Sequence, residues 1–146
     1  MTQIDFYTHV DDKLGTACAI TGKAHARGHK VILLCPDPET AHRVDRLLWT
    51  SPAIGFVPHC APEDPLAAET PVIIDCRGEH LPYDEVLLNL RPEWPPFFSR
   101  FQRLIEIVSL DEEDQAQARE RFRFYRDRGY EIRSHDLRKP AVNGRS

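Results

Sequence analysis

The sequence predicts an α/β domain, a mostly parallel sheet with helices on both faces, and three observations carry that expectation. Residues 30–35 (KVILLC), 72–76 (VIIDC), 85–90 (EVLLNL) and 104–108 (LIEIV) are short, nearly continuous apolar runs, the mark of strands buried on both faces. Helical patterns alternate with strands, which is the rhythm of parallel βαβ units. The boundaries are chemically marked, by Gly28 and Gly129 as helix stops and by Asp37-Pro38-Glu39 as a helix start.

Taken in order, residues 3–8 (QIDFYT) alternate as a first strand, and 14–28 read as a helix ending at Gly28. The second strand, 30–35, leads to Asp37 as N-cap, Pro38 in the first turn and a helix to about Leu48. From 50 to 69, Pro52, Pro58, Pro62 and Pro65 interrupt any periodicity. Strands follow at 72–76, 85–90 and 104–108, with Pro92, Pro95 and Pro96 keeping the link between the last two from forming a regular helix. A helix spans 109–129, and 130–133 form a last short strand. The domain is expected to cover 1–139, with 140–146 as a frayed polar tail.

At 146 residues the chain is long enough for one domain with a core that needs no disulfide or metal. A net charge of −4 and a pI of about 6.0 argue against a direct grip on duplex DNA, which needs a broad basic footprint. Residues 1–12 lack the basic start and apolar run of a secretory signal, and no apolar stretch is long enough to cross a bilayer, so a cytoplasmic protein is expected. Cys18, Cys35, Cys60 and Cys76 are too widely spaced for a zinc signature and read as reduced thiols.

Familiar catalytic patterns fail on spacing. Thr21-Gly22-Lys23 is not a phosphate loop, because Ala17 stands where a glycine is needed and Ala24 where a hydroxyl is needed. Gly15 lacks the partner glycines of a dinucleotide fingerprint. His25 and His29 have no third metal ligand, and His59-Cys60 has no orienting carboxylate at a recognisable spacing. No cofactor or metal is expected. A small α/β nucleotide binder or enzyme is the alternative reading, with Asp37 or Asp75 at strand ends as its site.

The 109–129 helix carries the most information. Ser109 and Glu112 have capping-box spacing, and Asp111, Glu112, Glu113 and Asp114 complement the positive end of the helix dipole. At about 100° per residue, Ala118, Phe122 and Tyr125 share one arc, with Arg119, Arg123 and Arg126 directly beside it. Between 119 and 128, five arginines face only Glu120 and Asp127, so the segment is locally +3 inside an acidic chain. Such a pattern is either a solvated, ion-paired face or a docking groove for an acidic peptide ending in a hydrophobic residue. Arginine suits the groove, since its planar fork binds carboxylates bidentately and its stem packs on rings. Direct single-stranded DNA binding through the same side chains is a weaker reading, given the overall acidity. A second surface gathers Trp49, Phe56 and Pro58 on a proline-bracketed loop, as a small core or an interface hot spot.

These residues carry a resemblance. Phe6-Tyr7, Lys30-Val31-Ile32-Leu33, Asp45-Arg46-Leu47-Leu48-Trp49 and Phe56-Val57-Pro58-His59, in that order, resemble the chi subunit of bacterial DNA polymerase III. So do Val86-Leu87-Leu88-Asn89-Leu90, Pro95-Pro96-Phe97-Phe98-Ser99-Arg100-Phe101, Ile105-Glu106-Ile107-Val108 and the block Ala118-Arg119-Glu120-Arg121-Phe122-Arg123-Phe124-Tyr125. The resemblance runs from about residue 3 to 138. It implies a nucleotide-binding-like α/β fold that binds no nucleotide, and a non-catalytic accessory subunit of the clamp-loader assembly. It also implies two protein partners. One is the C-terminal tail of single-stranded DNA-binding protein, acidic and ending in Pro-Phe, held by Arg119, Phe122, Arg123 and Arg126 with Val108 and Gln115 at the pocket edge. The other is the psi subunit, docking on Trp49, Phe56 and Pro58, a surface that some relatives also offer to a helicase-like repair partner. Two departures stand out: Gln115 occupies a place where some relatives carry lysine, and Phe122 replaces a tyrosine.

Overall fold

The computed structural model describes residues 1–50, 57–79 and 81–138. Seven strands form a single sheet in the order β3-β4-β2-β5-β6-β1-β7. They are β1 (Gln3–Val10), β2 (Val31–Leu34), β3 (His59–Cys60), β4 (Val72–Asp75), β5 (Val86–Asn89), β6 (Arg103–Ser109) and β7 (Ile132–Asp136). Every pairing is parallel, so the expected mostly parallel sheet is wholly so. Three helices join it: α1 (Lys13–Ala26), α2 (Pro38–Thr50) and α3 (Glu112–Asp127).

The continuous apolar runs explain the layering. Alternate residues of one strand point to opposite faces, so Val31 and Leu33 meet Ala17, Cys18, Val44 and Leu48 of α1 and α2, while Ile32 and Leu34 join the opposite core. That second core takes Ala118 and Tyr125 of α3, with Leu81 and Tyr83 from the β4–β5 connection and Phe98 and Phe101 from the proline-rich connection between β5 and β6. Strand β3 escapes sequence reading because two residues leave no period to detect, and it lies where the prolines cluster. Strand β7 starts two residues later than expected, at Ile132.

Two helix starts are built differently. Asp37 caps α2 as expected, accepting from the Thr40 amide at 2.7 Å. The cap of α3 is Asp111, with extended backbone and a carboxylate accepting from the Asp114 amide at 3.0 Å. This corrects the Ser109–Glu112 capping box. Ser109 acts one step upstream, its amide and hydroxyl both donating to Asp114 Oδ2 at 2.8 and 2.9 Å. Burial opposes ionisation of Asp114, but those donors and Lys13, at 3.0 Å, hold its carboxyl below the usual range. Lys13 thereby ties the start of α1 to the start of α3.

The expected frayed tail and Phe56 both lie outside the described residues. Among the described residues no helix is long and apolar enough to cross a membrane.

Candidate functional site

The rotation of α3 about its axis decides which side chains face outward, and one buried ion pair fixes it. Arg121 is 1 % exposed and Glu106, in the middle of β6, is 0 % exposed. Arg121 Nε donates to Glu106 Oε1 at 2.9 Å, and its Nη1 donates to the Pro92 carbonyl at 2.7 Å. The Tyr125 hydroxyl and Asn89 Nδ2 donate to Glu106 Oε2 at 2.6 and 3.1 Å. Burial pushes the Glu106 carboxyl up, while Arg121 and the two neutral donors pull the other way and satisfy its oxygens. Arg121, counted in the sequence with the arginines of the locally +3 segment, is thus the pin between helix, sheet and the proline-rich connection.

With Arg121, Ala118 and Tyr125 turned inward, the 3.6-residue period places Gln115, Arg119, Phe122 and Arg126 along one flank of α3. That flank meets β1 and the end of β6. Between them opens a pocket of about 250 Å³ lined by Phe6, Thr8, His9, Val108, Gln115, Ala118, Arg119 and Phe122. Phe6 and Phe122 meet edge to face, ring centroids 5.4 Å apart, and give the pocket an aromatic wall. Val108 is buried, Gln115 and Phe122 are half-buried and Arg119 is exposed at the rim.

Of the six residues expected at a peptide site, the structure brings Val108, Gln115, Arg119 and Phe122 to one pocket. Arg123 and Arg126 lie outside its lining. Arg126 continues the same row one turn beyond Phe122, and Arg123 is rotated further toward solvent. Arg123 pairs with Glu120 at 2.8 Å and Arg126 with Asp127 at 3.2 Å, all four side chains being more than half exposed. Pairs of that kind are worth at most about 1 kcal/mol and yield readily to a better partner. Arg119 has no hydrogen bond or ion pair among the described residues. Arg128 is drawn to the other flank, its guanidinium 4.2 Å from the centre of the Phe124 ring, which itself stacks on Trp94 at 3.8 Å.

Sequence reading missed the β1 wall of the pocket. Tyr7 pairs with Ile107 and Val10 with Ser109, so β1 carries one extra residue there, and His9 within this bulge has φ 58°. Nothing in an alternating strand announces a bulge, because its cause is the register of the partner strand.

The second surface is partly visible. Trp49 is 62 % exposed, its ring edge-on to the His59 ring at 5.4 Å, and Pro58 is half-buried beside them. His59 Nε2 lies 3.0 Å from Asp45 Oδ1, a neighbouring carboxylate that sequence spacing did not disclose. A further cavity of about 400 Å³ lies near the carboxyl ends of β3 and β4, lined by His42, Asp45, Cys60, Asp75 and Cys76 among others. Asp75 there is committed to its own turn, accepting from the Arg77 and Gly78 amides at 3.1 and 2.5 Å. Asp37 is committed to the α2 cap. Among the described residues no group of three or more His, Cys, Asp or Glu is placed to hold a metal ion.

Comparison with known proteins matches residues 1–133 to the family model for the DNA polymerase III chi subunit, HolC. Among similar relatives is the DNA polymerase III subunit chi of Pseudomonas aeruginosa, 33 % identical over 141 residues that cover 94 % of this chain and 98 % of the relative. The chi subunit of Haemophilus influenzae is 30 % identical over 122 residues, covering 83 % and 85 %. That of Escherichia coli is 29 % identical over 116 residues, covering 79 % of each chain.

Proposed function

This chain belongs to the DNA polymerase III chi subunit family, a replication accessory subunit, and from that premise we propose that it has no catalytic step of its own and couples the clamp loader to single-stranded DNA-binding protein. The pocket beside Phe122 receives the acidic C-terminal tail of that protein. The final phenylalanine packs against Phe6, Val108 and Phe122, Arg119 takes the terminal carboxylate, and Arg123 and Arg126 exchange their surface partners for upstream aspartates.

The observation that carries this reading is the open aromatic pocket with, at its rim, a guanidinium that is unpaired among the described residues. A merely ion-paired helix face would leave neither the opening nor the free cation. Part of the attraction is between exposed charges, so binding should weaken by several-fold as ionic strength rises from about 0.05 M to about 0.5 M, where the screening length falls from roughly 14 to 4 Å. Co-purification with single-stranded DNA-binding protein, across that salt range and with or without its last residues, tests both points. Retention independent of the tail contradicts the proposal.

The second partner, psi or a helicase-like repair protein, is assigned to Trp49, Phe56 and Pro58. An exposed tryptophan supported by a histidine ring has the character of an interface hot spot. Trp49→Ala should cost at least about tenfold in affinity for psi, while binding of the acidic tail is unchanged. Parallel titrations with the two partners check this, and a joint loss would show that the two surfaces are not separate.

A further inference from the structure

On the face of the sheet opposite α3, a smaller cavity of about 110 Å³ opens between α1 and the amino-terminal halves of β5 and β6. Ile20 of α1 and Ile105 of β6 give it an apolar floor, part of the core that α1 shares with the sheet. Lys23, Arg27, His29 and Arg103 supply the charged part of the lining, which holds no acidic side chain among the described residues. Three fixed cations thus converge without a lining carboxylate in a chain whose net charge is −4.

Lys23 and Arg27 stand four residues apart at the carboxyl end of α1, where like charges on neighbouring turns repel. Neither makes a side-chain hydrogen bond or ion pair among the described residues. His29 is loosely engaged, its Nδ1 3.7 Å from Glu85 Oε1, which also accepts from the Lys30 amide at 3.3 Å. Arg103 is oriented from behind. Its Nε donates to Asp5 Oδ2 at 2.9 Å, while its two terminal nitrogens make no hydrogen bond among the described residues. Asp5 is 1 % exposed, with His135 Nε2 2.9 Å from its other oxygen. Burial opposes ionisation of Asp5, but His135 and Arg103 hold its carboxyl below the usual range, so the guanidinium keeps a fixed anion at its back. The negative end of the helix dipole accounts for cations on α1. It does not account for Arg103, which comes from β6, or for the opening between them.

We propose that this cavity binds a phosphate group, gripped by Lys23 and Arg27 on one side and by the terminal nitrogens of Arg103 on the other. Convergent cations suit a tetrahedral oxyanion, whose oxygens point in several directions, better than a carboxylate, which one guanidinium fork satisfies. The cavity is well below the roughly 300–1,000 Å³ of a small-molecule site, so its ligand is a single charged group rather than a whole nucleotide. Inorganic phosphate and one phosphate of a nucleic-acid backbone both offer that group. The place also differs from the crevice at the carboxyl ends of the strands where open α/β sheets hold nucleotides. A bound phosphate relieves the repulsion between Lys23 and Arg27.

The test is an amide NMR titration of the isotope-labelled full chain with inorganic phosphate, with acetate and with single-stranded oligothymidylate, at constant ionic strength. The natural chain is compared with the double variant Lys23→Gln, Arg27→Gln, which keeps the fold because both side chains are exposed and unpaired among the described residues. Phosphate should shift the amides around 23–29 and 103–105 saturably. The double variant should bind at least about tenfold more weakly, since a hydrogen bond to a charged group is worth a factor of ten or more. A response of the same amides to oligothymidylate, lost in the double variant, assigns the site to a nucleic-acid backbone, and a response to phosphate alone assigns it to the free ion. Shifts that do not saturate, equal affinity in the two proteins, or acetate binding as tightly as phosphate overturn the proposal.

Discussion

Arg119→Ala lowers the affinity of the chain for an acidic peptide ending in Pro-Phe by about 10- to 100-fold, with no change in stability beyond roughly 0.5 kcal/mol. The binding figure follows from hydrogen bonds to a charged group, each worth about 1.5–3 kcal/mol, where every 1.4 kcal/mol is a factor of ten. The stability figure follows from Arg119 being exposed and unpaired among the described residues, as for most surface substitutions. Arg119→Lys should fall between, keeping the charge and losing the bidentate fork. Arg123→Ala should cost less, since Arg123 leaves Glu120 to reach a ligand and lies outside the pocket lining. Titration calorimetry with thermal unfolding of the same variants checks the set. An Arg119→Ala chain that binds normally removes the pocket assignment.

Arg121→Met acts on the opposite property. It leaves Glu106 buried without its cation, together with an unpaired Pro92 carbonyl, and should destabilise the fold by about 3–5 kcal/mol. That is a large share of the roughly 5–15 kcal/mol that holds a domain together. Pairing it with Glu106→Leu removes the stranded charge and should recover much of the loss, because an apolar replacement of a whole buried pair is often neutral. Denaturant unfolding of the single and double variants measures this. A loss below about 1 kcal/mol in the single variant would mean that the pair does not set the seat of α3. Two arginines two residues apart on one helix thus divide into a ligand-facing group and a structural pin.

The sequence made that division only half legible. Its continuous apolar runs named the buried strands and their parallel sheet, because a strand covered on both faces has no reason to alternate. The clue to Arg121 was also present. It stands three residues after Ala118 and four before Tyr125, on the inward row, and Glu106 is the single charge within the apolar run 104–108. Counting it among the five arginines of the +3 segment concealed it. The α3 cap moved to Asp111 because two acceptors compete at that turn, and geometry alone decides between Ser109 and its neighbours.

Half of the pocket was legible and half was not, for a related reason. Arg119 and Phe122 lie on adjoining arcs of the helix, so spacing places them together, and Val108 and Gln115 came with the family resemblance. Phe6, Thr8 and His9 come from a strand about a hundred residues earlier, and their approach depends on β1 pairing with β6 across a bulge. No local pattern encodes a contact of that separation. Arg126, expected among the tail-binding residues, lies outside the lining, because one helical turn carries it beyond the end of the pocket.

The claim on which the rest depends is that this pocket closes on the carboxyl end of a partner polypeptide. It is tested by titrating the chain with an acidic peptide ending in Pro-Phe and with the same peptide shortened by those two residues. The account predicts saturable binding of the first and loss of binding by the second, where neither ring nor properly placed carboxylate remains. Equal affinity for both peptides would reduce the interaction to diffuse charge attraction and contradict the pocket.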